Sequence, residues 1–122
     1  MPWSTFSSAL LDRIQRGAAT GICSLVALLE ILVKPLRRQR PDVAQNYQVV
    51  LSAFPHLQIV PVGAEEVRVA AELRAAYRLR VADAIQLATA AVQGATCFVT
   101  NDRALTRVDT VKVLVLDDFV AQ

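Results

Sequence analysis

Residues 79–100 have the sequence LRVADAIQLATAAVQGATCFVT, in which a helical segment leads into a short apolar strand. The helical repeat of apolar residues predicts a helix over residues 81–93. Gly94 follows this segment and suits the left-handed backbone conformation with which many helices end. Residues 96–100 form a short apolar run, which predicts a buried strand. A helix followed by a buried strand is typical of an α/β fold.

The rest of the chain repeats this alternation of helical and strand patterns. Further helices are predicted over residues 4–16, 25–38, 41–54, 63–77 and 102–107. Strands are predicted over residues 20–24, 57–60, 96–100 and 111–116. Because crossover helices join parallel strands, we expect an α/β three-layer sandwich in which helices flank both faces of a parallel sheet. The length of 122 residues fits a single domain of this kind.

The composition indicates a globular core built from aliphatic side chains. Hydrophobic residues make up 54% of the chain and aromatic residues only 6%, which argues against disorder. The longest apolar stretch, residues 21–33, contains Ser24 and Glu30. It is therefore shorter than the roughly 18–20 uncharged residues that a membrane span needs. We expect no transmembrane segment and no membrane partner.

The cysteines and the N-terminus favour a cytoplasmic protein. Cys23 and Cys97 lie in separate apolar runs and form no Cys-X-X-Cys pair, which is usual for buried thiols in a reducing compartment. The first residues lack the basic stretch followed by an apolar one that marks a signal peptide.

Basic residues form two groups, although the net charge of +2 alone says little about partners. The groups are Lys34, Arg37, Arg38 and Arg40, and Arg74, Arg78 and Arg80. Such groups are either solvated helix faces or contacts for a phosphate backbone. If they bind RNA, we expect them to flank an acidic site and to meet phosphates there.

Three carboxylates lie in positions that suit such a site. Asp102 follows the predicted strand that ends at Thr100, and ligand sites of parallel sheets gather beyond the carboxyl ends of strands. It also suits a simpler role as a helix N-cap. Asp83 lies in the first turn of its predicted helix, where the helix dipole favours a carboxylate. Glu30 lies in a helix that is apolar on nearly every side, so we expect it to be paired or to face a cleft.

Three segments together resemble one known family. They are LRVADAIQLATA at residues 79–90, FVTNDR at residues 98–103 and SLVALLE at residues 24–30. This combination closely resembles the PIN-domain family, and within it the toxin ribonucleases of bacterial VapBC toxin–antitoxin modules. The resemblance extends over nearly the whole chain.

The resemblance implies a metal-dependent endoribonuclease that holds Mg²⁺ or Mn²⁺ with carboxylates at the carboxyl edge of the sheet. Such hard cations prefer oxygen ligands, and a bound ion can generate the attacking hydroxide. By the same resemblance, Asp83 and Asp102 are metal ligands and Glu30 is a further ligand or a water-orienting base. Thr100 orients the site by hydrogen bonding. The implied partners are an RNA substrate, a small antitoxin protein and a second copy of the chain in a homodimer.

The chain departs from the family pattern at its beginning. The family opens with a central strand that is followed at once by an aspartate, whereas this chain starts in what resembles the next helix. Asp12 lies within that helical run and follows no strand, so it cannot replace the aspartate. We therefore expect the central first strand to be missing from a single, N-terminally truncated domain. A late start codon, a truncated gene and a real short form would each explain this.

Other protein classes fit the sequence less well. A receiver domain needs a phosphate-accepting aspartate after its middle strand, but residues 57–62 are followed by Gly63. A dinucleotide-binding domain needs a glycine-rich turn, and the four glycines of this chain are isolated. The alternative that stays open is a degenerate, non-catalytic PIN-like protein that binds RNA or an antitoxin partner.

Overall fold

The structure of the chain is a computed structural model that describes residues 4–100 and 102–115. Within these residues the α-helices are α1 (Ser4–Gln15), α2 (Leu25–Arg37), α3 (Pro41–Ser52), α4 (Ala64–Tyr77) and α5 (Val81–Val92). The strands are β1 (Gly21–Ser24), β2 (Leu57–Val60), β3 (Phe98–Thr100) and β4 (Val113–Val115), with a short 3₁₀ helix, Arg103–Arg107, between β3 and β4. Each predicted helix and strand is confirmed to within two residues at its described ends. Leu116, where the last predicted strand ends, lies outside the described residues.

Local interactions set both ends of α2. Ser24 is the last residue of β1, and its hydroxyl accepts a hydrogen bond from the backbone N–H of Ala27 at 3.1 Å, so it caps the helix. Pro35 is buried inside α2, and the helix ends two residues later, as expected for a proline near its end. Because Ser24 both ends β1 and caps α2, the helix begins at Leu25 and Glu30 lies in its second turn.

The strands are parallel, as predicted, and they pair in two sets. β1 pairs with β2, from Gly21 opposite Leu57 to Ser24 opposite Val60. β3 pairs with β4 in the same way. Within the described residues these pairs are two separate two-stranded sheets, whereas the sequence predicts one sheet that lacks its central strand. No hydrogen-bonded ladder joins the two pairs in this part of the chain.

The core is centred on one face of α5. Ala84, Leu87 and Ala88 are completely buried there and belong to one apolar cluster with residues of α4 and of the segment between β3 and β4. The small alanines let α4 approach α5 closely at the density that protein interiors require. α5 also packs against β1 and α2. Because this face is buried, the rotation of α5 about its axis is fixed, and so is the direction of its polar residues.

Two further features of the described residues concern the helices and the cysteines. Among the helices that the structure describes, none is long and apolar enough to cross a membrane. Cys23 and Cys97 are both free and partly buried. Burial raises the pKa of the Cys23 thiol, so it is less readily ionised than an ordinary cysteine.

Replacing Leu87 with alanine should destabilise the domain strongly, because this side chain is 0% exposed at the centre of the core. A buried Leu→Ala change leaves a cavity and costs about 2–5 kcal/mol. Urea denaturation followed by circular dichroism measures the loss. Val67→Ala on α4 is the control, since Val67 is 55% exposed, and it should change the unfolding free energy by no more than about 0.5 kcal/mol. Equal effects of the two changes would contradict this description of the core.

Candidate active site

Asp83 and Arg80 form an ion pair at the N-terminus of α5. Arg80 Nε donates to Asp83 Oδ2 at 3.0 Å, and Arg80 Nη2 donates to Asp83 Oδ1 at 3.2 Å. Both carboxylate oxygens therefore face one guanidinium, in the paired geometry that arginine favours. The Asp83 side chain is 15% exposed and the Arg80 side chain is 73% exposed, so the arginine lies on the solvent side of the pair.

Glu30 reaches α5 from the neighbouring helix α2. Its Oε1 accepts a hydrogen bond from Gln86 Nε2 at 2.7 Å. Gln86 lies three residues after Asp83, so both side chains project from the same side of α5. Of the two alternatives expected for Glu30, the structure shows a paired side chain, and its partner is the neutral amide of Gln86. The exposed position of Glu30 also removes the cost of burying its charge.

Thr100 and Asp102 form a small hydrogen-bonded unit after β3. The Thr100 hydroxyl accepts a hydrogen bond from the backbone N–H of Asp102 at 3.0 Å. Asp102 Oδ1 accepts one from the backbone N–H of Ala104, also at 3.0 Å, and so caps the 3₁₀ helix. Asp102 therefore has the capping role that its position suggested, and Thr100 holds the backbone that carries it. Asn101, between them, lies outside the described residues.

The charges of these three carboxylates act on the same cation. The pKa of the Arg80 guanidinium is raised chiefly by its hydrogen bonds to Asp83 and by the charge of that carboxylate. The negative charges of Glu30 and Asp102 raise it further. Carboxylates on α2, on α5 and after β3 are therefore close enough to one positive group for their charges to act on it.

The same carboxylates are not grouped at the spacing of metal ligands. In the part of the chain that the structure describes, no three His, Cys, Asp or Glu side chains are arranged so that they could hold a metal ion. The donor chemistry does fit a hard divalent cation, because all three groups are carboxylates and all three attract the same positive charge. Both oxygens of Asp83 accept hydrogen bonds from Arg80 in this structure.

Two residues of this site were not singled out from the sequence. Arg80 belongs to the second basic group, and Gln86 is not among the predicted site residues. Both lie three residues from Asp83, on either side of it along the chain. Residues at this spacing are neighbours on a helix surface, so the pattern around Asp83 could have revealed them.

The two basic groups are only partly available for phosphates. Arg40 pairs with Asp42 through hydrogen bonds of 3.1 and 3.0 Å. Arg74 Nε donates to the Leu79 carbonyl at 3.0 Å and so stabilises the turn between α4 and α5. Arg37 and Arg38 are exposed at the end of α2, the helix that carries Glu30.

The cap formed by Asp102 gives a way to separate its structural role from its charge. Asp102→Ala removes the cap and should lower the unfolding free energy by about 1 kcal/mol. Asp102→Asn keeps an oxygen that can accept from the Ala104 N–H, so it should cost less than about 0.5 kcal/mol. Chemical denaturation of the two variants measures the difference, and a loss in Asp102→Asn as large as in Asp102→Ala would show that the charge, not the cap, stabilises this segment.

Comparisons with known proteins identify the family. The family model described as the PIN domain matches residues 4–111. Among solved structures, the chain resembles one titled a toxin–antitoxin complex from Klebsiella pneumoniae, with a TM-score of 0.61 and 22% sequence identity over 76% of this chain and 71% of that one. At this identity the likeness shows the fold, and the search of curated proteins gives no match. Because the family match spans most of the sequence, the chain belongs to the PIN-domain family.

Proposed function

We propose that this chain is a metal-dependent endoribonuclease that hydrolyses phosphodiester bonds in RNA. PIN domains are generally nucleases, and the family match covers residues 4–111. The observation that carries the proposal is that both oxygens of Asp83 bind the Arg80 guanidinium while the charges of Glu30 and Asp102 act on the same group. Three carboxylates from separate elements whose charges act on one cation are a suitable beginning for a site that binds a divalent ion.

In this proposal Asp83 and Asp102 hold Mg²⁺ or Mn²⁺, with Glu30 as a further ligand or as the base. When bound, such an ion lowers the pKa of a bound water and neutralises charge on the scissile phosphate. Thr100 fixes the backbone of Asp102 through its hydroxyl. Asp102 is in turn oriented by its bond to the Ala104 N–H.

In this proposal Glu30 accepts a proton from water. The Gln86 amide binds Oε1 of Glu30 and fixes the orientation of its carboxylate. Since Glu30 is exposed, water can reach it without a path through the core. A carboxylate of this kind orients a water molecule and takes its proton as the phosphodiester is attacked.

RNA and an antitoxin protein are the proposed partners. Arg37 and Arg38 are exposed at the end of the helix that carries Glu30, which suits contacts with phosphates next to the acidic residues. The structural neighbour from Klebsiella pneumoniae is titled a toxin–antitoxin complex, which supports an antitoxin as the protein partner and a toxin role for this chain. A homodimer is also proposed, by resemblance to the toxin ribonucleases.

The second candidate function is a non-catalytic PIN-like protein that binds RNA or an antitoxin. It is favoured by one observation: both oxygens of Asp83 bind the Arg80 guanidinium, the group that a metal ion would have to replace. The two candidates differ in what the protein does to RNA when a divalent ion is present.

Purified protein should cleave RNA in the presence of Mn²⁺, and Asp83→Asn should reduce the rate by about 100-fold or more, because a carboxylate that holds the ion is lost. Labelled RNA separated on a denaturing gel measures cleavage. Asp12→Asn is the matched control, since Asp12 forms a comparable ion pair with Arg16 at 3.0 Å on α1. Cleavage that persists in Asp83→Asn would point to a contaminating nuclease. RNA binding without cleavage by the unchanged chain would favour the non-catalytic candidate.

Reversing the charges of Arg37 and Arg38 to glutamate should weaken RNA binding and flatten its dependence on salt. Each lost phosphate contact lowers the slope of log K against log salt by about 1. Fluorescence anisotropy with a short labelled RNA, in EDTA to prevent cleavage, measures both quantities. Arg16→Glu, on α1, is the control and should leave them near the original values. An unchanged slope in the double variant would mean that this group is a solvated helix face.

A further inference from the structure

We propose that Arg80 is a built-in counterion of the acidic site, and that a divalent cation must displace its guanidinium in order to bind Asp83. This inference rests on the proposed function, because it concerns the same three carboxylates. It adds Arg80, which lies outside the proposed ligand set, as a positioning residue. Cation binding is then an exchange of the Arg80 guanidinium for the divalent ion.

The hydrogen bonds of Arg80 occupy the atoms that a cation would need. Both oxygens of Asp83 accept from the guanidinium, at 3.0 and 3.2 Å. An ion bound to Asp83 must take at least one of these oxygens, and its charge would repel the guanidinium at that distance. Simultaneous occupation of the same carboxylate is therefore unfavourable.

The position of Arg80 lets it leave without disturbing the fold. Its side chain is 73% exposed, so its departure opens no cavity. Its backbone has an extended conformation, with φ −63° and ψ 152°, immediately before α5 begins. Asp83, by contrast, belongs to the helix and is fixed by it. Reorientation of the arginine side chain requires no unwinding of α5.

The surrounding charges favour the exchange once a divalent ion is available. Glu30 and Asp102 both attract the Arg80 charge, and their attraction for a group of twice that charge is correspondingly larger. Exposed ion pairs are weak individually, so the pair between Arg80 and Asp83 lowers the affinity for a cation without preventing its binding.

Mn²⁺ binding, measured by isothermal titration calorimetry or by electron paramagnetic resonance of the free ion, tests the exchange. Arg80→Gln should raise Mn²⁺ affinity by up to about fivefold, because an exposed ion pair that competes with the bound ion is removed. Arg80→Lys keeps the charge but not the two parallel hydrogen bonds, so it should raise Mn²⁺ affinity by less. It replaces Arg80→Gln in the test if that variant folds poorly. Equal or lower affinity in a folded Arg80 variant would overturn the proposal.

Arg68→Gln is the matched control for the change in net charge. Arg68 pairs with Glu65 and Glu72 on α4. Those two carboxylates alone raise its pKa, and neither belongs to the proposed site. The control should leave Mn²⁺ affinity unchanged, and a rise equal to that of Arg80→Gln would show a general effect of net charge.

Asp83→Asn in each background separates this inference from the proposed function. Suppose that Asp83→Asn abolishes Mn²⁺ binding but that the unchanged chain and Arg80→Gln bind Mn²⁺ with equal affinity. This result would contradict the exchange and leave the proposed metal site standing. If neither protein binds Mn²⁺ in a way that depends on Asp83, the proposed metal site fails and the exchange fails with it.

Discussion

Burial of one face of α5 is the constraint on which the proposed site depends. Ala84, Leu87 and Ala88 have no exposed surface, so the helix cannot rotate without exposing apolar surface or forcing Asp83 into the core. The same contacts hold α5 against β1 and α2. Gln86 is thereby directed towards Glu30 on α2, and Asp83 projects from the same side of α5 three residues earlier.

Electrostatics then determines the state of that site. The charges of Glu30, Asp83 and Asp102 all act on the Arg80 guanidinium, whose positive charge offsets their mutual repulsion. Arg80 relieves the repulsion at little structural cost, because it lies outside the helix and in solvent. Gln86 has a similar effect on Glu30 through a neutral hydrogen bond. In the proposed site the carboxylates would therefore keep the negative charge that attracts a divalent ion while Arg80 and Gln86 bind two of them.

The sequence predicted the helices and strands because their signals are local. The apolar repeat of α5 and the cap at Asp102 are interactions between residues close in the chain. The contact between Glu30 and Gln86 joins residues 56 apart and depends on how α2 packs against α5, which no local pattern contains. The separation of the strands into two pairs is likewise a property of tertiary packing. Arg80 is an intermediate case: its spacing from Asp83 is visible in the sequence, but its basic neighbours suggest a solvated helix face or a phosphate contact.

The central claim is that these carboxylates form a cation site at the N-terminus of α5, and crystals grown with Mn²⁺ test it most directly. Anomalous diffraction locates the ion independently of any assumption about its ligands. The account predicts a Mn²⁺ peak in contact with Asp83 and Asp102, close to Glu30, with the Arg80 side chain turned away. A well-ordered structure in which Arg80 still binds both oxygens of Asp83, with no anomalous peak beside it at saturating Mn²⁺, would contradict the account.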